Sequence, residues 1–450
     1  MRYLPHTPEE ITSMLQAIGV PSIDDLFSPI PEGVRFKGML GIEPSLDESR
    51  LMDHLTALAG KNTGATALSF LGAGAYDHHV PPVVDQLLLR GEFYTAYTPY
   101  QAEVAQGTLQ AIFEFQTMCC ELFGMPVANA SMYDGASAAA EAVLMARRLT
   151  KRTHVLVSDG VHPEYQETIR TYVRGLPGGV GEIEVVPHAA SGTADLDALK
   201  RLLRDDTACI VVGYPNFFGC VGDLKAMADL AHAKGALLVT ATSEPYALAL
   251  VEPPGALGAD IAVGEGQALG LPPQNGGPGC GLFACKDSRE FLQNIPGRLC
   301  GETVDKNGQR GYVLTLATRE QHIRRDRATS NICTNHALCA LAITIRASLL
   351  GKKGFVDVAK QCLAKAEYLK AELVKTGAWE LTFTAPTFNE FVVRSKKGTA
   401  QAAVDTAQKQ GILAGVDLGR WYPGREKDLL VCVTERHARE DLDRLVAALR

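Results

Sequence analysis

Nothing in this chain comes near the uninterrupted run of about 20 apolar residues that a membrane-spanning helix needs. The opening segment, "MRYLPHTPEEITSML", also lacks the apolar stretch of a secretory signal, so a cytoplasmic protein is expected. Positive charge is not in excess: 44 Lys and Arg stand against 51 Asp and Glu, a net charge of −7. A general binder of nucleic acid or of an anionic membrane would need a basic surface, and both classes are set aside. No CxxC pair occurs among the 11 cysteines, which are scattered from Cys119 to Cys432. An odd number in a long chain without a signal reads as reduced, buried thiols, and neither zinc nor any other metal is indicated. Repeats and low-complexity linkers are missing too. What remains is a globular composition, 46% apolar over 450 residues. That is enough to bury the core of one large domain and one smaller one.

The first helix carries its own start signal. Thr7 stands as N-cap, Pro8 at the first helical position and Glu10 three residues after the cap. "IPEGVRFKG" then predicts an extended arm, giving a helix-and-arm segment over residues 1–60. From about Ser131, helices and strands alternate. "GASAAAEAVLMARRL" is a helix rich in alanine, a strong helix former. "THVLVSD", "ACIVVGYPN" and "ALLVTATSE" are apolar strands, separated by the helical "DLDALKRLLRDD" and by "DLKAMADLAHAKG", which Gly235 closes. Continuous apolar strands between amphipathic helices mean a mostly parallel sheet covered on both faces. Ligands of such sheets bind at the carboxyl ends of the strands. This α/β domain is expected over residues 61–328. Past Thr329 a long helix, "NHALCALAITIRASLLG", leads to strands "WELTF", "EFVVRS" and "LLVCVT" and a last helix, "AREDLDRLVAAL". They predict a small α+β domain over 329–450.

Three places in the large domain form the frame of an aminotransferase-like enzyme of the kind that carries pyridoxal phosphate (PLP). In "ANASMYDGASAAAEA", Ser131, Asp134, Gly135, Ala136 and Ser137 sit at a helix start. Small residues there leave N–H groups open to an anion such as phosphate; an ordinary capped helix is the alternative. The strand ending in Thr240, Ala241 and Thr242 should carry the aspartate that pairs with the pyridine nitrogen. It has no acid, and the nearest, Glu244, lies further along. Then comes "VGEGQALGLPPQNGGPG" (Val263–Gly279), where a lysine amine should hold the PLP aldehyde. Between Lys234 and Lys286 there is no lysine at all. No other side chain replaces that amine: arginine stays charged and is a weak nucleophile, and glutamine cannot react. The chain by itself is not expected to perform PLP chemistry.

Longer stretches carry a resemblance. "FYTAYTPYQAEVAQGTLQAIFEFQTM" (Phe93–Met118), "NASMYDGASAAAEA" (Asn129–Ala142), "NGGPGCGLFA" and "LATREQHIRRDRATSNICTNHAL" (Leu316–Leu338) are unusual in composition. With them the chain resembles, over nearly its whole length, the P-protein family of the glycine cleavage system, glycine dehydrogenase (decarboxylating). Within it the likeness is to the α subunit of the split two-subunit form, and to the N-terminal half of the single-chain form. The resemblance implies the PLP-dependent-transferase fold (fold type I). It also implies that the PLP and its lysine belong to the second, homologous β subunit. Aligning the "GGPG" ends sets Gln267 opposite that lysine. The implied reaction converts glycine and the lipoyl H-protein into aminomethyl-dihydrolipoyl-H-protein and CO2, with the T- and L-proteins as further functional links.

A chain of this kind would complete its partner's site. The resemblance suggests that Thr329, Ser330 and Asn331, with Arg324 or Arg325, reach the partner's PLP phosphate; a charged helix start with local ion pairs is the alternative. Tyr94, Thr95, Tyr97, Tyr100 and Glu103 suit a channel wall or subunit contact, because tyrosine offers apolar area and a polar tip; core packing is the alternative. His78 and His79 are adjacent, a poor metal pair in a strand, and are expected to line the channel as loop residues. His162 and His188 are expected at the surface. Two other functions stay open: a stand-alone PLP enzyme using Lys234 or Lys286, and a binding or scaffold protein that kept only the fold.

Overall fold

Seven strands form the central sheet: β1 (Val127–Ala128), β2 (His154–Ser158), β3 (Ile183–Val186), β4 (Thr207–Gly213), β5 (Leu237–Thr242), β6 (Ile261–Glu265) and β7 (Gly281–Cys285). Their spatial order is β1-β7-β6-β5-β4-β2-β3. The strands from β3 across to β6 run parallel, and β7 is antiparallel to both its neighbours, β6 and β1. Successive side chains of a strand point to opposite faces, and the apolar runs use both. Val155, Val157, Val211, Val239, Val263 and Phe283 enter one core, whereas Leu156, Ile210, Val212, Leu238, Ala262 and Leu282 enter another. The first core also takes Ala138, Ala139, Ala142 and Ala146 of the helix Gly135–Thr150, whose small side chains let it lie close to the sheet.

The structure, a computed structural model, describes residues 5–174, 183–316 and 321–450. Two units separate, Met1–Thr63 and Gly64–Arg450. In the first, Thr7 and Glu10 close the expected capping box on the helix Pro8–Ile18, and Asp47 caps a second helix, Glu48–Ala59. The segment predicted as extended contains a turn of 3-10 helix at Glu32–Val34. None of its described residues is buried.

In the second unit the helix Ala337–Lys375 leads out of the large domain. It breaks at Gly351, where φ is +58°, a value that glycine tolerates, and then resumes. The small C-terminal α+β domain packs this helix and Arg439–Ala448 on a four-stranded antiparallel sheet. The spatial order there is Trp379–Leu381, Glu390–Ser395, Asp428–Cys432, Val416–Asp417. Leu369, Leu373, Trp379, Phe391, Val431 and Leu445 share its core. No helix among the described residues is long and apolar enough to cross a membrane.

Candidate functional site

Because β4, β5 and β6 are parallel neighbours, the residues just past them gather at one edge of the sheet, together with the start of the helix Gly135–Thr150. Asp134 caps that helix, accepting from Ser137 N at 2.7 Å. Beside the cap, Glu265 at the end of β6 takes three backbone N–H groups. Its Oε2 accepts from Gly135 at 2.9 Å, and its Oε1 from Gln267 at 2.9 Å and Cys280 at 2.8 Å. Burial pushes this carboxyl above its usual range, and the three donors act against that rise. The sequence reading passed over Glu265. An acid closing an apolar strand, directly before a glycine-rich loop, is the signal that pointed to it.

Gln267, at the position of the expected lysine, is buried and fully engaged. Its Oε1 accepts from Tyr76 N at 2.9 Å, and its Nε2 donates to Tyr76 O at 3.1 Å and Leu271 O at 2.6 Å. Tyr76 in turn donates its hydroxyl to Glu390 at 2.6 Å. Burial raises the Glu390 carboxyl to about 7, against the pull of Tyr76 and of Ala73 N–H. At the end of β5, Thr242 donates to Tyr214 O at 2.7 Å. Glu244, the one nearby acid named from the sequence, is held by His78 at 2.9 Å and accepts from Tyr246 N. The space left among Tyr76, Asn216, Phe217, Glu244, Asn389 and Glu390 is about 10 Å³.

Three histidine expectations are corrected. His78 does not line a channel: it is 2% exposed, clamped between Glu244 and Glu435, the latter at 2.6 Å from Nδ1. The ordering force is charge, since burial of two carboxylates calls for a cation between them. His78, Cys362 and Glu435 also bring three donor atoms within 4.8 Å of one another. His79 beside it is exposed. His162 is buried rather than at the surface, with Nε2 donating to Ala73 O at 2.8 Å and the ring 5.1 Å from Tyr165; burial keeps it below its usual range. His188 is half-buried, paired with Asp159 at 2.5 Å and accepting from Arg425.

The remaining predicted residues lie in two other places. Tyr94, Tyr97 and Tyr100 are 61%, 81% and 62% exposed, so plain core packing does not describe them. Thr95 and Glu103 are exposed as well. A residue missed from the sequence, Arg298, joins this segment to the one before the long helix. It donates to Thr98 at 2.7 Å, to the Tyr100 hydroxyl at 3.0 Å and to Cys333 O at 2.8 Å. Thr329 and Arg325 line a cleft of about 830 Å³ with Arg147, Arg148 and Arg152. Ser330 and Asn331 line it too, and Ser330 Oγ accepts from Ile332 N at 3.0 Å.

These residues do not fit PLP in this chain. In place of the expected amine stands an amide whose oxygen and nitrogen are both hydrogen-bonded within the chain, the nearest acid past β5, Glu244, is committed to His78, and the first N–H of the helix start is already taken by Glu265. Yet the fold, mixed α/β around a mostly parallel central sheet, is that of the PLP-dependent enzymes of fold type I. Sphingosine-1-phosphate lyase of Burkholderia pseudomallei K96243 shares the fold at a TM-score of 0.66 and 16% identity, covering 93% of both chains. A crystal structure of glycine decarboxylase (P-protein) of the glycine cleavage system, in inhibitor-bound form, matches with a TM-score of 0.89 and 44% identity, covering 100% of this chain and 99% of that one. The probable glycine dehydrogenase (decarboxylating) subunit 1 of Sorangium cellulosum (strain So ce56) is 63% identical over 449 residues, 100% of this chain and 99% of its own. The model of the glycine cleavage system P-protein family matches residues 1–449. The chain belongs to that family, on the side of its subunit 1, and is part of an enzyme whose subunit 1 implies a subunit 2.

Proposed function

We propose that this chain is the non-catalytic α subunit of a two-subunit glycine dehydrogenase (decarboxylating), inactive when isolated. The observation that carries this is Gln267, buried at the lysine position with all its hydrogen bonds spent inside the chain. PLP, bound covalently by the β subunit, supplies the electron sink for loss of CO2 from glycine. The aminomethyl group then passes to the lipoyl arm of the H-protein, with the T- and L-proteins acting downstream, in the cytoplasm. This chain's part is to complete the shared site. The exposed Tyr94, Tyr97 and Tyr100, with Thr95, Glu103 and His79, offer a wall for the lipoyl channel or the subunit contact. Arg325, Thr329, Ser330 and Asn331, which line one cleft with Arg147, Arg148 and Arg152, would reach the partner's PLP phosphate. A stand-alone PLP enzyme finds no support in the two lysines that flank the loop. Lys234 pairs with Asp205, and Lys286 with Asp260 at the amino-terminal end of β6, the wrong edge of the sheet.

The test is twofold. Borohydride reduction of the purified chain with PLP, followed by mass mapping, should give no stoichiometric pyridoxyl-lysine. Glycine–bicarbonate exchange should appear only when the chain is mixed with the β subunit and H-protein. A single full adduct on this chain, or exchange without β, would overturn the assignment.

A further inference from the structure

Absence of a cofactor lysine does not by itself explain what fills the site. Glu265 gathers N–H groups from three separate segments: the helix start (Gly135), the Gln267 turn and the end of the glycine loop (Cys280). Gly135 opens a helix of 16 residues, and the first N–H groups of a helix have no partner inside it. An anion at that point satisfies them and meets the positive end of the helix dipole. The surroundings are shaped to this carboxylate. A methyl group at Gly279 would lie 2.9 Å from Glu265 Oε2. One at Gly135 would lie 2.0 Å from the Tyr165 hydroxyl and 3.1 Å from Glu265 Cβ. Tyr165, itself buried, closes the side facing the helix start.

We propose that Glu265 is the built-in occupant of an anion subsite: its carboxylate stands where a ligand phosphate would bind and keeps the pocket closed to PLP and to free phosphate. Tyr165 and Gln267 complete the closure. The inference rests on this chain being the partner without a cofactor of its own, and adds to it a residue whose removal should reopen the site.

The experiment uses the full chain together with the β subunit, comparing wild type, Glu265→Ala and Glu265→Gln. Thermal midpoints are followed against inorganic phosphate, with sodium chloride at matched ionic strength as control. Glu265→Ala should melt several degrees lower without phosphate and regain half or more of that loss in tens of millimolar phosphate. Glu265→Gln, which keeps the bulk but turns an amide N–H toward a donor, should also melt lower and gain nothing from phosphate. Wild type should show no phosphate-specific shift. A Glu265→Ala chain no more responsive to phosphate than wild type overturns the proposal. Should that variant fail to fold in chloride, it is refolded in each salt: recovery in phosphate alone supports the proposal, and failure in both overturns it. A pyridoxyl-lysine trapped on wild type would instead sink the non-catalytic assignment, a separate readout from the phosphate response.

Discussion

Replacing His78 by glutamine should weaken the small domain's hold, and by an amount that changes with pH. Glu244, at 2.9 Å from His78 Nε2, belongs to the large domain, whereas Glu435, at 2.6 Å from Nδ1, belongs to the small one. The other groups facing the ring are Cys362, Tyr246 at 4.6 Å between ring centres, and Arg346, 4.0 Å from the far oxygen of Glu435. Burial alone would lower the His78 pKa. The charge of Glu244 and the hydrogen bonds to Cys362, Glu244 and Glu435 outweigh it and hold the pKa well above 6.5. For Glu435 burial acts upward, but its bonds to His78 win and hold it at about 2 instead of 4.5. At about 1.4 kcal/mol per pH unit, that difference is worth about 3 kcal/mol at neutral pH. It describes the same contact as the histidine's rise and is not added to it. Removing one member of a buried ion pair costs about 3–5 kcal/mol, so about 3 kcal/mol is the expected loss for His78→Gln, with Arg346 sparing part of it. The signs differ at the two ends of the pH scale. The raised histidine contributes fully below 6.5 and loses its contribution as pH climbs toward its folded value. The depressed Glu435 contributes above 4.5 and loses that contribution as pH falls toward 2. Both tryptophans, Trp379 and Trp421, lie in the small domain, so urea titration followed by their fluorescence reads the right part of the molecule. The useful window is about pH 7.5–8.5, above Glu390, whose value of about 7 makes its own contribution fall between 4.5 and 7. Wild type should lose up to about 1.4 kcal/mol per pH unit there. His78→Gln should lack that slope and start about 1 M lower in urea midpoint, taking about 3 kcal/mol per molar as the denaturant slope. Equal midpoints at pH 6.5, or parallel slopes in both proteins, would refute the clamp.

Gln267→Ala should cost about 2–4 kcal/mol, because it leaves the Tyr76 N–H and Leu271 C=O without their partner; Gln267→Lys alone should still give no borohydride-trapped adduct, since Glu265 still takes the Gly135 N–H and Glu244 stays bound to His78. Gly135→Ala should yield little folded chain, as its methyl would meet the Tyr165 hydroxyl at 2.0 Å, whereas Gly91→Ala, with nothing within 4 Å, should be neutral within about 0.5 kcal/mol by thermal melting. Met39→Asp with Leu40→Asp changes side chains 94% and 67% exposed. The isolated chain should melt unchanged, and its affinity for the β subunit, read by sedimentation, should fall at least tenfold if the apolar arm is an interface element.

Features encoded over a few residues were legible in the sequence. Thr7, Pro8 and Glu10 state their helix start within four positions, and the missing lysine in Val263–Gly279 is a matter of inspection. The two-residue period of β4 and β5 distributes side chains to both cores as strand geometry demands. What was not legible depends on partners far along the chain. His78 meets Glu244 and Glu435 across 166 and 357 residues, and His162 meets Ala73 across 89. A lone histidine carries no periodic signal of burial, so a surface position was the natural expectation for His162 and His188. Val416–Asp417 is too short a strand to show a pattern at all.

The glycines deserve a different account from the one their motif invites. "DGAS" and "GGPG" look like a phosphate cradle and a cofactor loop, motifs whose small residues invite a ligand. Yet Gly135 and Gly279 are each in contact range of Glu265 or Tyr165, with no room for a methyl group. The same small residues that let a phosphate approach a helix start also let an internal carboxylate approach it, because the physical requirement is backbone N–H access to an anion. Glycine spacing therefore marks the shape of the site and leaves open what fills it. A cofactor site would need an amine at position 267 and an acid at the end of β5, whereas Gln267 and Glu265 here spend their hydrogen bonds within the chain.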